Sequence, residues 1–421
     1  MLKFPHLFEQ TFQKLNNKSL FKAREVARSW QDFINERNYP WLCIVNIPTA
    51  LQSRNRYLHL AAETGQIDAF KIALNEEENK NIKNIRRQTP FHIACKNGRL
   101  NIAKLLLENS VIDQDQKSES KLYLWLNTDL NSKDDTGRTA FHLACRWGSI
   151  KVVKMLLANF ATLSIDLKAK DNEGRTAFHV ACEWGQVDVV KILMENPAHY
   201  SYINFKVKDN MGRTAVHLVQ DNVNVFRILM EKSFTCTCID FNAKDIRGQT
   251  AFHKACKDGH FNVANMFMQN SAILSIDLNA KDRQGQTAFH KACKQGQVDV
   301  VKMFMDNSVF LRIDLNAKDN QGQTAFHEAC KRGQIDVVKM FMDNSVSSRI
   351  DLHVEKNEGQ TSFHMACKWV HSSMAKIFMD NSTSLRIDLN AKDNLGKTAC
   401  HLAFQLGHVI VANMIIDNSA T

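Results

Sequence analysis

Proline is scarce in this chain of 421 residues, which contains only five. Long apolar runs are lacking as well, since none exceeds five residues, the length of the runs at 41–45 and 122–126. A membrane-spanning helix needs about 20 apolar residues, so the sequence predicts no such helix. The N-terminus has no basic stretch followed by an apolar segment, which argues against a secretory signal.

The cysteine content predicts where the protein is located in the cell, and its net charge predicts the class of partner. Eleven cysteines, an odd number, in a chain without an export signal predict reduced thiols and a location in the cytoplasm, the nucleus or both. Lysine and arginine total 54 against 44 aspartates and glutamates, a net charge of +10. No block of basic residues stands out, so the charge predicts solubility and a mild preference for acidic partners.

Motifs of catalysis and of phosphate binding are missing. The sequence contains no nucleophile elbow, phosphate-binding loop, dinucleotide fingerprint or HExxH stretch. Each of the sixteen glycines belongs to one of two recurring turns, so none is left for a phosphate loop. We therefore predict a protein that is not an enzyme, that holds no metal or cofactor, and for which nucleic acid is not the expected partner.

One histidine recurs along nearly the whole chain, mostly at intervals of 36 to 38 residues. The surrounding words recur with it, for example DRQGQTAFHKACKQG at 282–296 and DNQGQTAFHEACKRG at 319–333. Self-similarity at a fixed period is the signature of a solenoid of stacked units. The ladder histidines are His59, His92, His142, His179, His217, His253, His290, His327, His364 and His401.

The unit around His290 can be built from local rules. Gly285 marks a turn, Thr287 is an N-cap candidate, and Gly296 ends a first short helix. Apolar residues at intervals of three and four predict that first helix and a second one after it. They are Phe289, Ala292 and Cys293, then Val298, Val301, Phe304 and Met305. The sequence thus predicts an all-α fold of repeated helix–turn–helix–loop units.

These motifs resemble the ankyrin repeat, and the resemblance covers residues 54–421 in about ten units. Its usual unit has 33 residues, whereas this one mostly has 37, and we expect the extra four to lengthen the loop behind the second helix. Residues 110–133 form a long insertion, whose LYLWL segment either covers the second helices or contacts a partner. The His217 unit is degenerate and Val370 replaces a glycine between helices, so we expect local irregularities there.

Seven units read His-x-x-Cys, a spacing that places both side chains on one face of a helix and raises the question of metal binding. The resemblance favours a structural interpretation instead. It implies that each histidine bonds the turn backbone of its own or the next unit and that the cysteine is a small core residue. Cys236 and Cys238 form an isolated pair without a matching second pair, which is a weak metal signal.

The resemblance implies that the turn tips and the two residues before the glycine between the helices line a ligand-binding groove. Trp147 and Trp184 would form an aromatic ridge there, and lysines would form a basic stripe further along. The alternative is a solvated lysine face with tryptophans packed flat on their neighbours. The candidate contacts are Arg146, Trp147, Trp184, Lys254, Lys257, Lys291, Lys294, Lys331, Arg332 and Trp369.

Residues 1–50 do not repeat, and they resemble a small helical F-box module. This implies docking to the F-box-binding adaptor of a cullin-type (Skp–cullin–F-box) ubiquitin ligase, with a target protein held in the groove. The alternatives are an N-terminal cap on a scaffold with no ubiquitin link, or a chain that binds acidic polymers. The F-box-like positions are Phe4, Pro5, Phe12, Leu15, Leu20 and Trp30.

Two further features remain open in the sequence. The apolar end of the chain, residues 408–421, predicts a surface covered by a partner, a second copy or a continuation of the repeats. Asparagines in the return loops resemble hydroxylation sites of ankyrin-type proteins. They are Asn242, Asn279, Asn316 and Asn390.

Overall fold

The structure, a computed structural model, describes residues 58–76, 81–108, 128–195, 202–234, 239–348 and 350–419. Within these ranges every regular element is a helix, which confirms the all-α prediction. The chain divides into two compact units, Met1–Leu130 and Asn131–Thr421. The predicted F-box-like module and the LYLWL segment lie outside the described residues.

The first unit contains the His59 and His92 repeats. Residues 58–64 are helical, and the helices Ile67–Glu76, Pro90–Lys96 and Leu100–Glu108 follow. Nε2 of His59 lies 2.8 Å from the backbone oxygen of Gln88, in the turn of the next repeat. The two repeats are therefore joined by the kind of contact that the resemblance implies.

The second unit contains eight repeats, named here by their ladder histidines from His142 to His401, and each has a first and a second helix. The first helices are Ala140–Arg146, Ala177–Glu183, Ala215–Leu218, Ala251–Asp258, Ala288–Gln295, Ala325–Arg332, Ser362–Lys368 and Ala399–Gln405. The second helices are Ile150–Asn159, Val187–Glu195, Val223–Ser233, Phe261–Gln269, Val298–Asn307, Ile335–Ser348, Ser372–Asn381 and Val409–Ser419.

Each first helix begins at a threonine that is locked to the ladder histidine. In the His290 repeat, Thr287 has the extended backbone of an N-cap, and its backbone N–H donates to Nδ1 of His290 over 3.2 Å. Because Nδ1 accepts this bond, the proton sits on Nε2, which donates to the backbone oxygen of Gln323 in the next repeat over 3.1 Å. Both predictions, the threonine cap and the two-sided histidine, are confirmed.

Glycine is required in the turn because the next repeat approaches it closely. Gly285 has a φ of 77°, and a Cβ on it would lie 2.4 Å from Oδ1 and 2.7 Å from the backbone nitrogen of Asn320. Any side chain here would both strain the backbone and separate two repeats. Gly296, with a φ of 70°, ends the first helix in the left-handed conformation, as predicted.

In the repeats from His217 to His364 the core contains a continuous row of packed phenylalanines. The ring of Phe289 lies 5.1 Å from that of Phe304 in its own second helix and 5.8 Å from that of Phe341 in the next repeat. Cys293 is fully buried beside this row, and burial raises the pKa of its thiol. The cysteines of the His-x-x-Cys motifs are therefore small core residues, as the structural interpretation holds.

The four extra residues of the unit lengthen the segment behind the second helix, as expected, and backbone hydrogen bonds order that segment. In the His290 repeat they add a turn after the second helix, with the backbone N–H of Leu311 donating to the oxygen of Asn307 over 3.0 Å. Arg312 then ends this turn at a φ of 53°. The left-handed conformation of Arg312 lets the backbone hydrogen bonds of this turn close without glycine.

The two predicted irregularities are present. The first helix of the His217 repeat is cut to Ala215–Leu218, and Asp221 takes part in the next repeat, where its carboxylate accepts from Nδ2 of Asn262 over 2.8 Å. Val370 has a φ of 62°, a conformation that costs a non-glycine residue about 1–3 kcal/mol. It is 54% exposed, so little burial offsets that cost.

Acid should destabilise the protein steeply, because the ladder histidines are buried in the neutral form. Burial lowers the pKa of His142, His179, His253 and His327 from 6.5 to about 4. The unfolded chain therefore takes up protons first, so stability falls as the pH drops from 6.5 to 4, by about 1.4 kcal/mol per pH unit for each such histidine. Urea denaturation at a series of pH values measures this loss. An unfolding midpoint that stays constant from pH 7.5 to 5 would contradict this prediction. The control is His353→Gln, which removes an exposed histidine outside the ladder and should leave the pH dependence of stability unchanged.

Val370→Gly should raise the free energy of unfolding by about 1 kcal/mol, because it relieves the left-handed strain and loses little buried surface. The matched control is Gly333→Val at the equivalent place one repeat earlier. There the added Cβ would lie 2.7 Å from Cε1 of His371, so that variant should lose stability. Urea midpoints report both changes, and a loss of stability in Val370→Gly would show that the valine is not strained.

Candidate partner-binding surface

The surface predicted to bind partners consists of the four-residue turns before the capping threonines and the last residues of the first helices, in the repeats from His142 to His401. We call it the recognition surface. First helices of successive repeats pack against one another, so equivalent residues lie side by side. What differs between repeats at these positions determines the chemistry of the surface.

Its aromatic part is centred on Arg146. Trp147 and Trp184, in adjacent repeats, are 55% and 50% exposed. The guanidinium carbon of Arg146 lies 4.2 Å from the ring centroid of Trp184 and 5.8 Å from that of Trp147. The two tryptophans thus share one cation, and half of each side chain faces solvent. We call these three residues the Arg–Trp cluster.

Among the described residues the guanidinium of Arg146 forms no ion pair with a carboxylate, and the two tryptophan rings of the cluster lie near it instead. Its Nε is buried without a hydrogen-bond partner, and burial together with the nearby Arg138 lowers the pKa of its guanidinium. The neighbouring Arg175 is instead paired with Asp171 at 2.9 Å and Glu183 at 3.0 Å. Arg146 is therefore the cation here that an acidic or aromatic partner group can still stabilise.

One residue of the predicted basic stripe does not belong to the exposed surface. Lys291 is 5% exposed, and its Nζ lies 2.6 Å from a carboxylate oxygen of Asp282 and 2.7 Å from Oε1 of Gln286. It points back to the turn of its own repeat, whereas the equivalent Lys254 pairs with Asp258 on its own helix. Its assignment as a partner contact is corrected here, and its role is to hold the turn.

The remaining lysines of the stripe are partly paired. Lys254 forms an ion pair with Asp258 on its own helix. Lys294 and Lys331 approach the buried carboxylate of Glu328 at 3.7 Å and 4.0 Å. Lys257 is half-buried and Arg332 is exposed. The stripe is therefore less strongly positive than a count of its lysines indicates.

Trp369 repeats the pairing of a ring with a cation near the other end of the unit. It is 48% exposed, and Nζ of Lys331 lies 5.9 Å from its ring centroid. The strained and exposed Val370 follows it directly. Three of the six tryptophans of the chain thus stand at the same place in their repeats, each half-exposed beside a cation.

A second row of basic residues escaped the sequence analysis. The lysine before the first residue of each turn donates from Nζ to the backbone oxygen of the equivalent residue in the next repeat. We call this row the lysine ladder. The recurrence of these lysines at the repeat interval is visible in the sequence, but the backbone oxygen that each one contacts is not. The members of the ladder are Lys133, Lys170, Lys208, Lys244, Lys281 and Lys318.

The asparagines predicted as modification sites also join repeats. Nδ2 of Asn279 donates to the backbone oxygen of Arg312 over 3.0 Å, and its Oδ1 accepts from the backbone N–H of Asp314 over 3.0 Å. Asn242 makes the same pair of contacts one repeat earlier. Hydroxylation of these residues stays a prediction.

Among the described residues there is no group of three or more His, Cys, Asp or Glu side chains that could hold a metal ion. Cys236 and Cys238 lie outside those residues. In the part of the chain that the structure describes, no helix combines the length and apolar character needed to cross a membrane.

The last repeat carries an apolar surface. Ile410 is 74% exposed and takes the place that Asp299 holds in the His290 repeat, while Phe404 and Leu406 are 50% and 47% exposed. Ile410 thus replaces a charged residue of the second helix, while Phe404 and Leu406 add apolar surface at the end of the first helix. Self-association through this repeat stays a prediction.

Two comparisons with known proteins bear on the family. A sequence model of the family described as "Ankyrin repeats (3 copies)" matches residues 58–125, 117–209, 271–352 and 345–421. A segment of 66 residues is 35% identical to the human (Homo sapiens) protein "Transient receptor potential cation channel subfamily A member 1". That segment is 16% of this chain and spans only 6% of the length of the channel protein.

The family match covers more than half of the chain and coincides with the helical repeats seen in the structure. Ankyrin repeat proteins are in general non-catalytic modules that bind other proteins. The repeats described above are units of this kind, and the chain belongs to the ankyrin repeat family.

Proposed function

We propose that the recognition surface captures a target protein and that the Arg–Trp cluster is the centre of that contact. The observation that carries the proposal is the exposed pair Trp147 and Trp184 stacked about the guanidinium of Arg146. Tryptophan and arginine are enriched among the residues that dominate the binding energy of protein interfaces. Tryptophan buries a large apolar area, and arginine adds a cation with directional hydrogen bonds. Lys257, Arg332 and Trp369 extend the contact along the unit.

We further propose that the chain is the substrate-recognition subunit of a cullin-type ubiquitin ligase. The resemblance of residues 1–50 to an F-box module supports this role, and Phe4, Pro5 and Phe12 head the adaptor contact. The protein would do no chemistry, since its contribution is to raise the effective concentration of the target beside the ligase. It would act in the cytoplasm, the nucleus or both. A scaffold with no ubiquitin link is the alternative that the tests below separate from this one.

Trp147→Ala/Trp184→Ala should abolish capture of the target. Removing two hot-spot residues costs about 2 kcal/mol or more each, which lowers the recovery of a bound protein many-fold. The measurement is affinity purification of the full chain followed by quantitative mass spectrometry. Phe310→Ala is the matched control, because Phe310 is an aromatic residue that is 88% exposed but lies on the turn after a second helix. If the unaltered chain, the double tryptophan variant and Phe310→Ala recovered the same proteins in equal amounts, the proposal would be contradicted.

Phe12→Ala/Leu15→Ala should release the ligase adaptor while the target stays bound. The reason is that the two functions are assigned to separate parts of the chain. The same purification measures both, and the tryptophan double variant should show the reverse pattern. Failure of the unaltered full chain to retain the adaptor would remove the ligase role and leave the scaffold.

A further inference from the structure

The lysine ladder is a built feature of the second unit rather than a scatter of surface charges. Six consecutive repeats each contribute one exposed lysine. Every Nζ is held by a backbone oxygen of the next repeat, at distances of 2.7, 3.2, 2.7, 2.9, 2.8 and 3.2 Å. The ammonium groups are thereby fixed in a line along the turns.

Each ammonium keeps donors for a ligand. A lysine has three N–H groups, and the bond to the backbone uses one of them. In the described ranges, none of the six lysines forms an ion pair with a carboxylate. Four ladder lysines follow, by four residues, an aspartate whose Oδ1 atom caps a backbone N–H group of its own loop, as Asp277 does for Asn279 over 3.0 Å. The lysine side chains are therefore available to an anionic partner.

Charge is divided between the two sides of the repeats around the ladder. In the His253, His290 and His327 repeats, the turns and first helices hold eleven basic and five acidic residues, whereas the second helices and return segments hold four basic and seven acidic ones. The ranges counted are 244–258, 281–295 and 318–332 for the first set, and 259–280, 296–317 and 333–354 for the second. The turns and first helices that hold the Arg–Trp cluster, 133–147 and 170–184, have no such excess, since they contain five basic and five acidic residues. The positive field therefore lies on the side of the ladder in the His253, His290 and His327 repeats, which contribute Lys244, Lys281 and Lys318.

The spacing of the ladder selects a shape for the partner. Packed helices lie about 8–10 Å apart, and equivalent lysines recur at the distance between repeats. A polyproline II segment has three residues per turn and rises about 3.1 Å per residue, so every third side chain points the same way at intervals of about 9 Å. Nucleic acid carries a phosphate at every nucleotide, about 3.4 Å apart along one strand of a duplex, which is a denser array.

We propose that the lysine ladder binds an extended acidic segment of the partner protein, in polyproline II conformation, with a carboxylate at every third residue. The inference rests on the proposed function and names the chemistry of the target. In the His364 repeat Glu355 takes the ladder position, and its carboxylate interrupts the row before Lys392 in the last repeat. Six lysines therefore span a segment of about 16 residues.

Two synthetic peptides of equal composition test the spacing. One repeats Glu-Pro-Pro six times, and the other gathers the same glutamates into two blocks, so that charge and proline content are the same. Fluorescence anisotropy with the full chain at low salt should show the regular peptide binding about tenfold more tightly. Equal affinity for the two peptides would mean unspecific attraction and would overturn the proposal.

Two matched triple variants test the residues. Lys170→Gln/Lys244→Gln/Lys318→Gln removes three charges from the ladder and should weaken the regular peptide about tenfold. Lys154→Gln/Lys191→Gln/Lys302→Gln removes three exposed charges from second helices and should leave its binding unchanged. Equal weakening by both triples would overturn the assignment.

Two further measurements separate the alternatives. Glu355→Lys should extend the row and tighten binding of a longer Glu-Pro-Pro peptide, and an unchanged affinity would count against the ladder. A single-stranded oligonucleotide that binds more tightly than the regular peptide, and loses affinity in the ladder triple, would assign the surface to nucleic acid instead. Capture of the target through Trp147 and Trp184 is measured separately, so failure of the ladder leaves the proposed function standing.

Discussion

The hydrogen bond from Nε2 of a ladder histidine to the backbone of the next repeat is the contact on which the second unit depends. It occurs in seven successive repeats, from His142 to His364, at 3.0 to 3.3 Å. It works only with a neutral imidazole whose Nδ1 accepts from the capping threonine, because the two bonds fix the proton on Nε2. One side chain therefore both starts a helix and joins two repeats. A single repeat cannot bury both faces of its helices, so this junction is also what makes the unit stable.

The same constraint explains where the sequence is free to vary. Threonine, histidine and the turn glycine are held by contacts with the next repeat, as the closeness of Gly285 to Asn320 shows. The side chain just before the glycine between the helices takes no part in these threonine, histidine and turn-glycine contacts, and the chain places Trp147, Trp184 and Trp369 at that position or its equivalent. The shortened His217 repeat shows how far variation can go, since its ladder histidine still reaches Gln249 although its first helix has only four residues.

Sequence reasoning succeeded where the cause of a structure is local. Thr287 as a cap follows from residues within one turn of it, and the burial of Cys293 follows from the helical period. It failed for Lys291, because the charge that neutralises it, Asp282, belongs to a turn whose path is set in three dimensions. It missed the lysine ladder for a related reason. The acceptor of Lys281 is the backbone of Lys318, and a backbone atom carries no signature in a sequence. The role of residues 1–50 stays a prediction.

The recognition surface combines two kinds of contact that suit different purposes. The Arg–Trp cluster offers large rings around a partly desolvated cation, an arrangement that supplies affinity. The lysine ladder beside it offers exposed ammonium groups in contact with water, where single charge pairs contribute little to affinity. Such charges act through their spacing and their field, which orient a partner and accelerate its approach. A target that is anchored by the tryptophans and aligned by the lysines would use both parts. Because the repeats have a regular period, charges that are individually weak can together select a partner segment by the spacing of its carboxylates.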